Sequence, residues 1–364
     1  MGTAEEHVYS AWQEQKAQEE KKMTEKRSIG IDLHRRNFAC CVRLENGRNY
    51  LSQWSLKQLS QFIRKLRSTD EIAVEVTGNT RLFYQAVAPY VARVVVVDPN
   101  QFRVISHSVK KTDPHDARNL ALYLAKGLLP EVRVKEKEQA KVASLTQTRD
   151  RLVKLRTALK NKVNNLLSAR GIELDKESLS SDKGLISVLE QKVEELAHLE
   201  LDVIVEQIRS LNRSIARLER AIEEASQKLP GYRNLTSIKG IGSLGAGILL
   251  SVIGDVKDFD HEGKLAAYFG IVPGVQDSNE TEHRGRITKR GSKLGRTALV
   301  QCALIAKRYS PYLHRYYERL RARRGTGKAI IALARKFLTI IYYTLKNNWI
   351  FEDFPNFVLA EAKT

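Results

Sequence analysis

The sequence predicts an α/β N-terminal domain, a central coiled coil and an all-α C-terminal domain. Three observations carry that expectation. Short β-rich runs alternate with helical segments in residues 28–130. Apolar residues then step by threes and fours across residues 131–229. Beyond Pro230 they sit at helical spacing between glycine-containing turns, in residues 230–364. Residues 1–27 alternate acids with bases and hold few large apolar side chains, so they read as a flexible or helical extension.

A chain of 364 residues has room for two or three domains with ample cores. Its 61 Lys and Arg against 42 Asp and Glu leave a formal charge of +19, which points to a polyanionic partner, nucleic acid before membrane. The excess is uneven: residues 284–328 hold 14 basic residues and one acid, Glu318. The cysteines Cys40, Cys41 and Cys302 have no metal-ligand spacing and read as small core residues in a reducing compartment. No apolar run has membrane-spanning length, so a soluble, intracellular protein is expected.

In the first domain, Ile29, Ile31 and Leu33 alternate along a strand and put Asp32 on its opposite face. Phe38–Leu44, the turn Glu45-Asn46-Gly47 and Tyr50–Trp54 continue as an antiparallel meander, with Asn-Gly its hairpin signal. Leu56–Leu66 has helical period, Glu71–Gly78 reads as a strand containing Glu75, and Leu82–Ala88 reads as a helix. Arg93–Val97 reads as a buried parallel strand. Three antiparallel strands followed by alternating helix and strand give an α/β sheet of the ribonuclease-H kind.

The next stretch is Lys111-Thr112-Asp113-Pro114-His115-Asp116-Ala117-Arg118. At a spacing of three, Asp113 and Asp116 share one face of the helix that begins there. Two such charges repel by about 4 kcal/mol at 4 Å in an effective dielectric of 20. Water, a proton or a cation between them would relieve the repulsion. Any one acid in the chain could be a solvated surface residue. An acid inside an apolar strand, as with Asp32 and Glu75, needs a partner if buried. Asp32, Glu75, Asp113 and Asp116 together suit two Mg²⁺ ions bridged by carboxylates, with Mn²⁺ the alternative, the arrangement that cleaves phosphodiesters.

The order Asp on a strand, Glu on a strand, then Lys-Thr-Asp-x-x-Asp-Ala resembles the DEDD transposases of bacterial insertion sequences, the insertion sequence 110 family. The resemblance implies a fold like the Holliday-junction-resolvase version of ribonuclease H, with Asp32, Glu75, Asp113 and Asp116 as metal ligands. It also implies a structured guide RNA encoded by the element, pairing with donor and target DNA, and a cytoplasmic, nucleoid-associated setting in a bacterium or archaeon. Lys110 and Lys111, beside the aspartates, are expected to touch nucleic acid.

In the central region Val142, Leu145, Leu152, Leu155, Leu159 and Val163 form one stripe. A Ser-rich break near Ile172–Lys183 separates it from Leu201, Ile204, Ile208, Leu211, Ile215, Leu218 and Ile222, which alternate three and four as a coiled-coil seam. A coiled coil joining protomers into a dimer or tetramer is the favoured expectation, and a helical hairpin within the chain is the rival. The basic Arg149–Lys162 face could carry RNA.

Beyond Pro230, Gly240-Ile241-Gly242 precedes the apolar helix Ala246–Ile253 and resembles a helix-hairpin-helix, whose amides can hold phosphate at a helix N-terminus. A tight turn that needs glycine for its backbone angles explains the same residues. Gly270-Ile271-Val272-Pro273, then Asp277-Ser278-Asn279-Glu280, then Gly285-Arg286-Ile287-Thr288-Lys289-Arg290-Gly291 is similar to the C-terminal transposase domain of that family. The similarity implies Ser278 as the nucleophile on a short loop, more acidic here than the usual Ser-Gly-Gly. Ser292 is the reserve candidate and is expected to cap the helix Lys293–Lys307. Arg284, Arg286, Lys289, Arg290, Lys293 and Arg296 carry no acid among them and are expected to contact phosphates. Tyr312, Tyr316 and Tyr317, set among arginines, suit either base stacking or core packing.

The expected protein is therefore a DNA recombinase that cuts and rejoins strands by metal-assisted serine attack, through a 5′-phosphoserine. Its catalytic centre is expected to be composite, with carboxylates from one domain and serine from the other. A Mg²⁺-dependent, resolvase-like endonuclease using water is one rival. A non-enzymatic nucleic-acid-binding coiled-coil protein is the other.

Overall fold

In a computed structural model, the chain divides into two compact units, Met1–Val134 and Lys135–Thr364. The structure describes residues 26–98, 102, 112–174, 178–278 and 281–359.

In the first unit, strands β1 (Arg27–Leu33), β2 (Asn37–Leu44) and β3 (Asn49–Ser55) form the expected meander. A 3₁₀ turn at Leu56–Gln58, closed by a capping box on Ser55, leads into the short helix α1 (Leu59–Ile63). The helical period read over Leu56–Leu66 thus resolves into a turn and little more than one helical turn. Strand β4 (Glu71–Glu75) is shorter than expected and stops at its acid. Helix α2 (Thr80–Val87), strand β5 (Arg93–Val97) and helix α3 (Asp113–Ala125) follow. The sheet order is β3-β2-β1-β4-β5. The first three strands are antiparallel, and β4 runs parallel to both β1 and β5.

The pleat sorts this unit into two layers. Ile29, Ile31, Leu33, Phe38, Cys40, Ile72, Val74, Val94 and Val96 face one way and pack with Phe62 of α1 and Phe83 and Val87 of α2. Ala39, Cys41, Ala73, Val95 and Val97 face the other way, toward Ala117, Leu120, Ala121 and Leu124 of α3. The three cysteines are free and buried, as expected, and burial pushes the Cys40 thiol up to about 12.

In the second unit, α4 (Lys137–Ser168) and α6 (Glu195–Ser226) are joined through the short helix α5 (Asp182–Leu189), which Ser181 caps. The seam of α6 finds its partner within the chain. Leu201, Val205 and Ile208 pack with Val163 and Leu167 of α4 and with Leu185 and Val188 of α5. Ile222 and Val142 close the other end of the hairpin within the larger core. Arg149 Nη2 lies 2.6 Å from Glu219 Oε1 across the pair.

The remaining elements are α7 (Tyr232–Thr236), α8 (Ser243–Ile253), α9 (Glu262–Tyr268), β6 (Pro273–Ser278), β7 (Thr281–Ile287), α10 (Lys293–Tyr309), α11 (Pro311–Arg324) and α12 (Thr326–Lys346). Helix α8 is apolar all round and buried throughout from Ala246 to Ile253, so it forms the middle of this core. The β6–β7 hairpin corrects the expectation of an all-α domain. Ser278 pairs with Thr281, so the described residues of the segment read as a loop belong to an antiparallel ladder. A polar stretch lacking apolar alternation hid it, because backbone pairing needs no apolar face. Among the described residues, no helix is long and apolar enough to cross a membrane.

Candidate active site

The site begins with a close approach of helix to strand. A Cβ on Gly30 would collide with the carbonyl oxygen of Ala117 and lie 2.5 Å from the nitrogen of Ala121. Only glycine lets α3 lie directly on β1. Two residues further along the same face of β1 comes Asp32, and on α3 Asp113 lies one turn before Ala117 and Asp116 immediately before it. Helix α3 starts where it does because Pro114 suits a first turn and both aspartates favour the positive end of the helix dipole.

Asp32 and Asp116 are buried, whereas the Asp113 side chain is 43 % exposed. His34 follows Asp32 on the same side of the chain and was not singled out from the sequence. Its Nε2 lies 3.4 Å from Asp32 Oδ2 and 3.1 Å from Asp113 Oδ2. One ligand atom each from Asp32, His34 and Asp113 lie within 4.8 Å of one another. Burial raises the pKa of Asp32 above the ordinary carboxylate value. His34 opposes that rise, and the charges of Asp113 and Asp116 add to it. Three acids crowded on partly buried ground, with an imidazole among them, form a donor set that suits a divalent cation.

Glu75 ends β4, beside β1. Val74 pairs with Ile31, and Glu75 lies one residue further on the same face of the sheet as Ala73 and α3. Its carbonyl accepts a 2.7 Å hydrogen bond from Thr80 Oγ1, which also accepts from Thr77 N at 2.7 Å. Asn79 Nδ2 donates to the carbonyls of His34 and Arg35, both at 3.1 Å, tying the end of β1 to the turn after β4. The structure therefore gathers Asp32, Asp113 and Asp116 and places Glu75 at the same end of the sheet.

The other expected site residues belong to the second unit, apart from Lys110 and Lys111, which lie outside the described residues. Ser278 is the last residue of β6. Arg284 lies on β7, and Arg286, Lys289, Arg290 and Lys293 are exposed. Arg296 has a structural duty: its Nη1 donates to the carbonyls of Phe269 (3.2 Å), Arg290 (3.0 Å) and Gly291 (3.1 Å), and burial lowers its pKa. Ser292 caps α10 as expected, its Oγ accepting from Gly295 N at 3.0 Å.

Gly240 has a φ of +111°, and a Cβ there would lie 2.5 Å from Ala306 N, so close packing on α10 explains this glycine. Gly242 precedes α8, exposed, with nothing near its missing Cβ. Tyr317 is buried in the core with Lys307 Nζ 3.8 Å from its ring centre, and Tyr312 and Tyr316 are partly buried against the same core. Core packing is the role the structure shows for these rings.

A strand-borne aspartate beside two helix-borne aspartates, in a chain of net charge +19, suits metal-dependent chemistry on a polyanion. Comparison with known families agrees. A family model described as "Transposase" matches residues 29–170, and one described as "Transposase IS116/IS110/IS902 family" matches residues 232–318. A probable family 20 transposase of Pseudomonas aeruginosa is 27% identical over 329 residues, covering 87% of this chain and 96% of the relative. The transposase for insertion sequence element IS1111A of Coxiella burnetii is 25% identical over 326 residues, covering 87% and 89%. A pilin gene-inverting protein of Moraxella lacunata is 28% identical over 348 residues, covering 89% and 97%. The chain belongs to the IS110 family of transposases, enzymes that cleave and rejoin DNA.

Proposed function

We propose that this transposase cuts DNA by serine attack assisted by two Mg²⁺ ions, with Mn²⁺ able to substitute, held by Asp32, Glu75, Asp113 and Asp116. The observation that carries the reading is the convergence of Asp32, Asp113 and Asp116 at the end of a sheet where Glu75 also ends. The strand order β3-β2-β1-β4-β5 supports a ribonuclease-H-like, Holliday-junction-resolvase-like domain over residues 28–130. In this reading residues 131–229 form a helical spacer and residues 230–364 carry the nucleophile.

Ser278 Oγ attacks the scissile phosphorus. The Oγ–P bond forms as the P–O3′ bond breaks, and the 3′ oxygen leaves as a hydroxyl, so the 5′ end remains on the protein as a phosphoserine. Attack by a second strand's 3′-hydroxyl reverses the sequence and restores the serine. Bound divalent cations would neutralise charge on the phosphate and favour ionisation of an otherwise weak nucleophile. Asp32 and Asp113 would hold those cations from a strand and a helix whose close approach Gly30 permits. Both sets of residues must act on one phosphate, so neither reacts alone.

The partners in this reading are donor and target double-stranded DNA and a structured RNA whose pairing selects sequence while the protein reads shape. The excess of 19 positive charges supports polyanion binding, with Arg284, Arg286, Lys289, Arg290 and Lys293 as phosphate contacts. Lys110, Lys111 and Gly242 join them, and Arg296 holds the backbone of Arg290 and Gly291 beside Lys289. Exposed Leu196, Leu199 and Val203 on α6 support a homo-oligomer built through the helical hairpin. The Moraxella relative's name supports inversion or transposition as the kind of rearrangement.

The test is a covalent protein–DNA adduct on denaturing gels. It should form with Mg²⁺ and vanish in EDTA and in Ser278→Ala. Cleavage without an adduct in Ser278→Ala would replace serine attack with hydrolysis by water. An adduct that persists in Ser278→Ala but disappears in Ser292→Ala would move the nucleophile.

A further inference from the structure

We infer that His34 is a nitrogen ligand of the carboxylate centre and biases it toward divalent first-row transition ions over Mg²⁺. The inference rests on the proposed metal site and adds to it a donor outside the four acids. Leu33 ends β1 with its side chain in the sheet core, and His34, the next residue, sets its imidazole beside Asp32. Ligand atoms about 2.1 Å from one ion sit about 3 Å apart when adjacent in an octahedron. His34 Nε2 meets that spacing twice, at 3.1 Å from Asp113 Oδ2 and 3.4 Å from Asp32 Oδ2.

The backbone of this residue is also held in place. His34 N donates to Asn37 O at 2.9 Å, and its carbonyl accepts from Asn79 Nδ2 at 3.1 Å. Two anchors on the backbone fix the residue from both sides. The imidazole remains 46 % exposed, so an ion can reach it from solvent. Carboxylates and water suit Mg²⁺, whereas an imidazole donor favours transition ions. A mixed set of one nitrogen and several oxygens therefore shifts the preference of a site that four carboxylates alone would leave to Mg²⁺.

The experiment uses the full chain, without nucleic acid, with Ni²⁺ and Mg²⁺ as the calorimetric probes and Mn²⁺ as the spectroscopic one. Calorimetry should show Ni²⁺ binding tighter than Mg²⁺ by about tenfold or more, and His34→Ala should lose most of that difference. Spin-echo spectra of the Mn²⁺-loaded protein should carry modulation from a coordinated nitrogen. That modulation should be absent from His34→Ala and His34→Gln. If His34→Ala does not fold, His34→Gln makes the same test with an oxygen donor, and the wild-type spectrum stands without any variant. Absence of nitrogen modulation in the wild type overturns the inference, as does an unchanged ion preference in the variants. Asp32→Asn separates the two layers. If it binds both ions as the wild type does, the metal site itself is wrong. If it binds neither while His34→Gln behaves as wild type, only the role of His34 is lost.

Discussion

Asp32 shows how a functional acid works against its own fold. It is buried on a sheet face beside Asp113 and Asp116, and its pKa is raised mainly by burial. A carboxyl that holds its proton more tightly when folded stabilises the fold most below its unfolded pKa, and that contribution falls as pH rises through the folded one. At neutral pH without metal, the ionised group is therefore destabilising. Asp32→Asn should raise the melting temperature in EDTA at pH 7. The gain should vanish as the pH falls below the ordinary carboxylate range. The same variant should lose DNA cleavage. Melting curves across pH beside a cleavage assay check both halves, and a variant that melts lower at pH 7 would contradict this account of the site.

At the scale of elements, the contact between β1 and α3 holds the centre together, and it depends on Gly30. A methyl group there would meet the carbonyl of Ala117 and crowd Ala121 N and the Leu120 side chain. Backbone cannot rotate away as a long side chain can, so α3 must shift. Gly30→Ala should destabilise the first unit by about 1–3 kcal/mol, the usual cost of overpacking. It should also reduce cleavage well beyond what that loss of stability explains, because Asp113 and Asp116 move with the helix. Chemical denaturation together with single-turnover cleavage tests this. Wild-type activity from a destabilised Gly30→Ala would show that the helix position is not critical.

The whole molecule is governed by charge. Its net +19 and the exposed Arg286, Lys289 and Arg290 predict DNA binding that weakens steeply with salt. Replacing any one of these three with Ser should lower the slope of log affinity against log salt by about 1. Arg296→Ser should differ: it should lower thermal stability first, since its guanidinium holds three backbone carbonyls. Fluorescence anisotropy over a salt series distinguishes the two behaviours. A flat salt profile would remove the basic stretch from the DNA-binding surface.

The sequence alone determined the element order of the first unit and the family, and it singled out the four acids, because these rest on local alternation, helix-start chemistry and short motifs. It also pointed to the seam of α6 and the cap at Ser292. It did not reveal His34, although an Asp-x-His spacing on a strand is a readable sign. Nor did it flag Gly30, although a glycine inside an apolar strand signals close backbone approach. The β6–β7 hairpin escaped because ladder hydrogen bonds leave no trace in polar side chains. Only the tertiary structure decided what the seam of α6 packs against, since a heptad pattern is the same whether its partner is on this chain or another. Likewise, only packing could assign Arg296, Gly240 and Tyr317 to holding the fold. A basic residue, a glycine or a ring carries its identity in the sequence, but its neighbours are fixed by contacts between distant residues.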